Sequence, residues 1–340
     1  MTVCVAEGCT GGDLLSNLTV PGSVRAFHIG IIAYSLPSKL DLGVSQKIID
    51  NFGEYSQEVV IAMAEAIRKK RNDTLAIATV GDIDPSDSSL YHRLAFVGYS
   101  MLGGLTKTYP LLLPPYSRKN IKDLLTQICL SNALMLVKGG ESDINNSQHF
   151  FVPQKDSFSP LIEKAGLIIS LLRQRNLKIA TMESCTGGAI ANVLTDISGS
   201  TQVFHSGLIA YDEDVKRMFG VPIKSMVYGG VYSKRVAWEM ARAVMNKTGV
   251  DIAVATTGTM DTMDKRPFHT DTQPGTVYLA ILIKQQDPLT LQLNINLASR
   301  EQMKADIVNQ VFDFLINMLD FQREQEQPLL VKNPRYNLSL

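Results

Sequence analysis

The sequence has no excess of charge of either sign and no long apolar run. Its 340 residues contain 33 Lys and Arg against 33 Asp and Glu, so the formal net charge is zero. No basic stripe is present that could follow a phosphate backbone, which argues against a nucleic-acid-binding protein. No stretch stays apolar for the roughly 18–20 residues that a membrane span needs. We therefore expect neither nucleic acid nor a membrane as a partner.

The sequence also lacks the residue spacings of a metal site. Its four cysteines form no C-x-x-C pair, and its five histidines are scattered. We therefore expect no metal and no cofactor, and we interpret the cysteines as reduced thiols of a cytoplasmic protein. The first residues have neither the charged start nor the apolar core of a signal peptide, which also favours the cytoplasm.

The sequence does contain a long internal repeat. The string E-x-C-T-G-G occurs at Glu7–Gly12 and again at Glu183–Gly188. Further matches follow in the same order at a nearly constant separation: Gly30–Tyr34 with Gly207–Tyr211, Lys39 with Lys216, Leu75–Gly81 with Ile252–Gly258, and Ser117, Arg118 and Lys122 with Ser299, Arg300 and Lys304. The separation is far too long for a solenoid repeat, so whole domains are duplicated.

These matches divide the chain into two copies of one domain. We predict a first, degenerate domain over 1–137, a polar linker over 138–158, a better preserved domain over 159–320 and a tail over 321–340. Hydrophobic residues make up 45% of the chain, enough for two cores. The second copy opens with Ser159 and Pro160, a typical helix start. The first copy begins directly on a strand and lacks that helix.

The second copy alternates strands and helices. Apolar and alternating runs predict strands over 177–182, 203–211, 251–256, 275–284 and 289–297. Helices are predicted over 188–194, from residue 212, over 233–246 and over 300–319. The last two strands follow each other closely and suggest an antiparallel pair. We therefore predict two tandem three-layer α/β/α sandwich domains with mixed sheets.

Three groups of residues could carry chemistry. In the turn from Glu183 to Gly188, glycines and a helix start could receive an anion, or the glycines could serve the turn alone, and Cys185 could simply pack. A hydroxyl of Gly199-Ser200-Thr201 could pair with Lys216, oriented by Tyr211, or these could be surface groups. Arg300 and Lys304 share one face of the last helix and could bind an anion or form a solvated face.

With these motifs assembled, the second copy resembles the C-terminal domain of the CinA (competence/damage-inducible) family over about residues 160–320. The resemblance rests on Thr181–Gly188, Asp196–Phe204, Gly207–Val221, Tyr232-Ser233, Thr257-Gly258 and Pro274–Val277. The first copy resembles the same domain more weakly, over about residues 3–137.

The resemblance implies a metal-independent hydrolysis of the carboxamide of nicotinamide mononucleotide by a serine/lysine mechanism, with a pyridine mononucleotide as the small-molecule partner. It implies catalytic roles for Lys216, Thr201, Ser184 and Tyr211, with Thr201 at the position of the nucleophile. It implies substrate-binding roles for Glu183, Thr186, Gly187, Gly188, Thr257, Gly258, Arg300 and Lys304.

The sequence departs from the family pattern at several of these positions. Thr201 stands where the family has serine, and its methyl group crowds attack. The loop Thr259–Arg266 has no glycine. In the first copy, Gly8 and Val24 match Ser184 and Thr201, so that copy is expected to be inactive although Lys39 and Tyr34 remain.

Three hypotheses follow. The second copy alone is an amidohydrolase, or the chain is an inactive nucleotide-binding or interaction module. In either case the first copy can replace a second subunit, by pairing of domains within the chain or in a homo-oligomer.

Overall fold

A computed structural model describes residues 1–84, 94–139, 153, 159–260 and 272–326, without the side chains of Val24 and of residues 321–326. The described residues thus leave out most of the predicted linker and tail and positions 261–266 of the glycine-free loop. The elements of the first copy are β1 (Val3–Glu7), α1 (Asp13–Leu18), β2 (Phe27–Ile32), α2 (Leu36–Leu42), α3 (Gln46–Phe52), α4 (Gln57–Arg71), β3 (Leu75–Gly81), β4 (Leu94–Met101), β5 (Thr106–Leu112) and α5 (Arg118–Val137).

The second copy repeats this order and begins with an additional helix. Its elements are α6 (Pro160–Gln174), β6 (Ile179–Glu183), α7 (Ala189–Thr195), β7 (Phe204–Ala210), α8 (Glu213–Met218), α9 (Ile223–Gly229), α10 (Lys234–Thr248), β8 (Ile252–Gly258), β9 (Thr276–Ile283), β10 (Leu289–Asn294) and α11 (Arg300–Glu326). In both copies a 3₁₀ turn precedes the second strand, at Ser23–Arg25 and at Ser200–Gln202.

Local sequence explains where several helices begin. The Ser233 hydroxyl accepts the N–H of Val236 at 3.2 Å, and the Asp212 carboxylate accepts the N–H of Val215 at 2.7 Å. Both side chains satisfy an N–H group that has no partner inside the helix. Helix α6 instead begins with Pro160, whose fixed φ suits the first helical position, and Ser159 makes no side-chain capping bond.

The ten strands of the described residues form one mixed sheet, whose order is β10-β9-β8-β6-β7-β2-β1-β3-β4-β5. Within each copy the first three strands are parallel, and the last two pair antiparallel at the edge. The order is therefore the same when it is followed from either edge towards the centre. This confirms the predicted mixed sheet.

The two copies meet through β2 and β7, which we call the seam. These strands pair antiparallel, with Ile29 opposite Ala210 and Ile32 opposite Gly207. The two predicted sheets are thus one continuous sheet. Because the seam strands run in opposite directions, the start of β7 lies beside the end of β2, and the start of β2 lies beside the end of β7.

Helices cover both faces of the sheet, which confirms the three-layer α/β/α class. One apolar core lies between the sheet and helices α1, α5, α6, α7 and α11. The other lies between the sheet and helices α2, α3, α4, α8, α9 and α10. Each core contains residues of both copies and so holds the copies together. No helix in the described parts of the chain is both long enough and apolar enough to cross a membrane.

Candidate active site

A serine and a lysine of the second copy form a buried pair. Ser184 directly follows β6, and Lys216 lies in the short helix α8. The Lys216 Nζ lies 3.1 Å from the Ser184 Oγ and donates to the Ala210 carbonyl at 2.9 Å. Ser184 is 3% exposed and Lys216 is 1% exposed. A hydroxyl in hydrogen-bond contact with an amine, both shielded from water, can act as a nucleophile with its base.

Tyr211 and Arg300 form a second pair, in which an Arg300 Nη donates to the Tyr211 hydroxyl at 2.8 Å. The Arg300 Nε is buried and has no hydrogen-bond partner among the described residues. A buried donor without a partner is costly, so a ligand that accepts a hydrogen bond would be stabilised at this position. The guanidinium is suited to a phosphate or carboxylate.

Cys185 lies beside both pairs. Burial raises the pKa of its thiol to about 11, while the nearby Arg300 and Lys216 act in the opposite direction. A thiol with this pKa stays protonated at neutral pH and is a poor nucleophile. No group of three or more His, Cys, Asp or Glu side chains in the described residues could hold a metal ion.

The predicted substrate-binding residue Glu183 lies inside the protein, where it caps a helix. Its carboxylate accepts the N–H groups of Gly188 at 2.9 Å, Ile190 at 3.2 Å and Ala191 at 3.1 Å. Glu7 does the same in the first copy, and there burial raises the pKa of the carboxyl to about 7. The glutamate of E-x-C-T-G-G thus supplies the acceptor that a helix start needs.

The glycines of the same motif bring the two copies close together. Gly187 has a φ of +61°, and a Cβ built on it would lie 2.0 Å from the Thr19 Oγ1 of the first copy. In the reverse direction, a Cβ on Gly11 would lie 2.3 Å from the Thr195 Oγ1. A Cβ on Gly188 would lie 3.1 Å from the carbonyl oxygen of Gly12. The turn therefore needs glycine for its backbone angle and for contact between the copies.

Four further residues that were predicted to bind the substrate make hydrogen bonds within the protein. Thr186 and Thr256 join their hydroxyls at 2.7 Å, and the Thr257 hydroxyl donates to the Val231 carbonyl at 3.2 Å. Gly258 pairs with Val277 in the sheet. The Lys304 Nζ donates to the carbonyl of Ser16 at 2.7 Å and to Thr19 at 2.8 Å, at the end of α1 in the first copy.

The structure does not bring Thr201 to Lys216. Thr201 follows Ser200 in the turn before β7. Because β7 pairs with β2 at the seam, this turn contacts the first copy. There Ser200 and Tyr34 join their hydroxyls at 3.0 Å, and Thr201 lines a cavity of about 220 Å³ together with Lys39 and Arg118. The sequence predicted that Thr201 acts within the second copy, because a repeat in the sequence does not show which copy the turn contacts in the fold.

Lys39 has different partners from Lys216. Its Nζ donates to the Glu54 carboxylate at 2.7 Å and to the Tyr34 carbonyl at 3.3 Å. Gly8 stands where Ser184 stands in the second copy, so the position that carries the serine hydroxyl there has no side chain in the first copy. Sequence reasoning missed Glu54, although the same repeat alignment places Val231 opposite it.

Both copies of the domain are similar to one known protein family. The family model described as the CinA C-terminal domain matches residues 1–136 and again residues 162–319. The chain belongs to the CinA family. Both copies thus match the same CinA domain, as the resemblance predicted.

Curated relatives carry CinA names. A CinA-like protein of Chloroherpeton thalassium is 46% identical over 100 residues, which are 29% of this chain and 23% of the relative. A CinA-like protein of Chlorobium chlorochromatii is 34% identical over 140 residues, covering 41% of this chain and 32% of the relative. The chain therefore spans about a quarter to a third of these relatives' length.

Solved structures of CinA proteins align with about half of the chain. The competence/damage inducible protein CihA of Agrobacterium tumefaciens is 28% identical with a TM-score of 0.45, and the alignment covers 49% of this chain and 99% of that one. A CinA superfamily protein of Klebsiella pneumoniae is 22% identical with a TM-score of 0.45, covering 48% of this chain and 99% of that one.

Proposed function

We propose that the chain hydrolyses the carboxamide of a pyridine mononucleotide of the nicotinamide mononucleotide type, at Ser184 and Lys216 of the second copy. We call these two residues the dyad. The observation that carries the proposal is the distance of 3.1 Å between the Lys216 Nζ and the Ser184 Oγ at a buried position. The CinA resemblance suggests the substrate, and the dyad suggests the type of reaction.

In the proposed first step, the Ser184 Oγ attacks the carboxamide carbon while neutral Lys216 takes the hydroxyl proton. The tetrahedral intermediate collapses, the C–N bond breaks, and Lys216 returns the proton to the departing nitrogen so that ammonia leaves. Lys216 then deprotonates a water molecule that attacks the ester on Ser184. The ester C–O bond then breaks, Lys216 returns this proton to the Ser184 Oγ, and the carboxylic acid product releases its own proton to solvent as it becomes a carboxylate.

Arg300 is the proposed anion-binding group of this site. It is fixed by its bond to Tyr211, and its buried Nε has no partner among the described residues. A guanidinium can bind the phosphate of a mononucleotide or stabilise the oxyanion of the intermediate. This supports a proposal in which the nucleotide, rather than a neutral amide, is the substrate.

The proposal is tested by ammonia release from nicotinamide mononucleotide by the purified chain. Lys216→Met should lower the rate by about 10²–10⁴-fold, the usual contribution of a general base, and Ser184→Ala should lower it at least as much because it removes the nucleophile. Arg217→Met is the matched control, because Arg217 adjoins Lys216 on α8 but its side chain is 53% exposed. Full ammonia release by both dyad variants would contradict the proposal.

The alternative is a nucleotide-binding member of the family without hydrolytic activity. It is favoured by the position of Thr201, since the hydroxyl expected beside Lys216 lies in the first copy's cavity. In that case the parent protein should bind the mononucleotide in a calorimeter and release no ammonia, and Ser184→Ala should bind it equally well.

A further inference from the structure

The cavity that contains Thr201 is built by both copies. The first copy contributes Lys39, Tyr34 and Arg118, and the second contributes Gly199 and Thr201. We call it the shared cavity. Its volume is about 220 Å³, which is below the roughly 300–1,000 Å³ of drug-sized ligand sites. The volume therefore suits a ligand no larger than a small metabolite, or one that leaves part of itself outside.

The shared cavity has two cations in its wall. Lys39 is only 1% exposed, so its ammonium is held in place inside the protein. Arg118 donates to the Thr195 carbonyl at 2.8 Å and to the Tyr34 hydroxyl at 2.5 Å. These bonds fix the guanidinium plane and use two of its five N–H donors, which leaves others for a ligand. The Lys39 ammonium is already paired with the Glu54 carboxylate at 2.7 Å, so the fixed guanidinium of Arg118 is the group that favours an anion such as a phosphate.

The remaining wall offers groups for the rest of such a ligand. The carboxylates of Asp82 and Asp84 can accept hydrogen bonds from sugar hydroxyls, and the Tyr55 ring offers an aromatic face. Asp84 is itself held by the second copy, because the Ser198 hydroxyl donates to it at 2.5 Å. Both copies thus fix the acidic as well as the basic side of the cavity.

The shared cavity has no counterpart of the dyad. A Cβ on Gly8 would lie 2.7 Å from the carbonyl oxygen of Thr79, so the backbone leaves no room for a serine there. Lys39 faces the Glu54 carboxylate at 2.7 Å, whereas Lys216 faces a hydroxyl. A ligand could be held by Arg118 and Lys39 in this cavity without meeting an activated nucleophile.

We propose that the shared cavity is a second ligand site, which binds a ribose-phosphate compound such as a mononucleotide and does not hydrolyse it. The phosphate would lie against Arg118 and Lys39, and the sugar hydroxyls would face Asp82 and Asp84. The choice of a mononucleotide rests on the proposed function, whereas the preference for a phosphate rests on Arg118, which is bonded to a carbonyl and a hydroxyl, while Lys39 is paired with Glu54.

The test is titration calorimetry with the full-length Ser184→Ala variant, which cannot consume the ligand by the proposed route. The probes are nicotinamide mononucleotide, ribose 5-phosphate and nicotinamide riboside, which has no phosphate. We expect two mononucleotides per chain. Ribose 5-phosphate should still bind to the shared cavity, and the riboside should not.

Two further substitutions test whether the measured heat of binding comes from the shared cavity. Thr201→Phe in the Ser184→Ala background fills the cavity from an exposed position and should lower the stoichiometry to one. Arg118→Met should do the same by removing a cation. Gln202→Phe is the matched control, since it adds the same ring to the same turn, and Gln202 does not line the cavity.

A stoichiometry of one that Thr201→Phe leaves unchanged, or no binding of any probe, would overturn the inference. The proposed function is judged separately, by ammonia release from the parent protein. Hydrolysis with a single bound mononucleotide would leave the proposed function standing and remove the second site. Two bound mononucleotides without hydrolysis would support the second site and contradict the proposed function.

Discussion

At the scale of single residues, the difference between the two sites begins at Gly8. Its N–H donates to the Thr79 carbonyl at 2.7 Å, whereas the N–H of Ser184 donates to the Thr256 carbonyl at 3.0 Å. The closer approach in the first copy leaves no space for a side chain. We therefore expect that a serine placed at this position alone does not restore the dyad, because its Cβ would meet the Thr79 carbonyl oxygen.

Gly8→Ser is accordingly expected to destabilise the protein. The new Cβ would lie 2.7 Å from a backbone oxygen, which must move, and overpacking of this kind costs about 1–3 kcal/mol. Urea unfolding measures the loss. Gly166→Ser is the control, because a Cβ on Gly166 has no atom within 4 Å. Unchanged stability of Gly8→Ser would show that the strands can separate at no cost.

Glu7 should make stability depend on pH. Burial raises its pKa to about 7 in the folded protein, from an ordinary value of 4.5. The folded state therefore binds a proton that the unfolded state releases between these pH values, and stability falls as pH rises through this range. The loss is on the order of 3 kcal/mol when it is complete.

Comparison with Glu7→Gln isolates this contribution. The variant should lose less stability than the parent between pH 5 and pH 8 in urea unfolding. It should also be less stable at pH 5, because its amide would direct a donor at the N–H of Gly12 or Leu15. Parallel pH curves for the two proteins would contradict the expected titration.

At the scale of elements, each long C-terminal helix of a copy reaches the end of a short helix in the other. The Lys122 Nζ from α5 donates to the Asn192 carbonyl at 2.9 Å and to the Asp196 carboxylate at 2.6 Å, at the end of α7. Lys304 from α11 donates to the Ser16 carbonyl and to the Thr19 hydroxyl at the end of α1, and these two acceptors are neutral. Lysine at these ends satisfies carbonyl groups that the helices leave unpaired.

Removal of Lys122 is expected to cost more stability than removal of Lys304. Lys122→Met would leave the Asp196 carboxylate, which is 9% exposed, without its cation, at a cost of about 3–5 kcal/mol. Lys304→Met leaves only neutral acceptors, at about 1–3 kcal/mol. Burial also lowers the pKa of Lys304 to about 8, so its ammonium already costs stability at pH 7. Thermal unfolding at pH 7 gives the order, and equal losses would contradict it.

The helices and strands of the second copy could be predicted from the sequence, but the pairing of the two copies at the seam could not. Strands β6 to β9 lie within a few residues of their predicted ranges, because apolar runs and the caps at Asp212 and Ser233 are local signals. The role of Glu183 was missed, although Gly188 offers no side chain to cap α7 and some other acceptor was needed. The position of Thr201 depends on the seam, and pairing between distant strands leaves no local signal.

At the scale of the whole molecule, the two copies should unfold together. They share one sheet and both apolar cores, so neither copy retains a complete core alone. Trp238 is the single tryptophan and reports on the second copy. A variant with Trp238→Phe and Tyr109→Trp would report on β5 in the first copy. The two fluorescence transitions in urea should coincide, and a separation between them would show that the copies are independent units.

The seam has a further consequence for how the sequence of such a protein can diverge between its two halves. In a homodimer of one CinA-type domain, a substitution enters both subunits at once, so the two composite sites stay identical. In this chain each half is encoded separately, and a turn such as Gly199–Gln202 can change without its counterpart Gly22–Arg25. Covalent linkage thus frees the two sites from symmetry, and one chain can hold a serine–lysine pair in one half and Gly8 with Glu54 in the other.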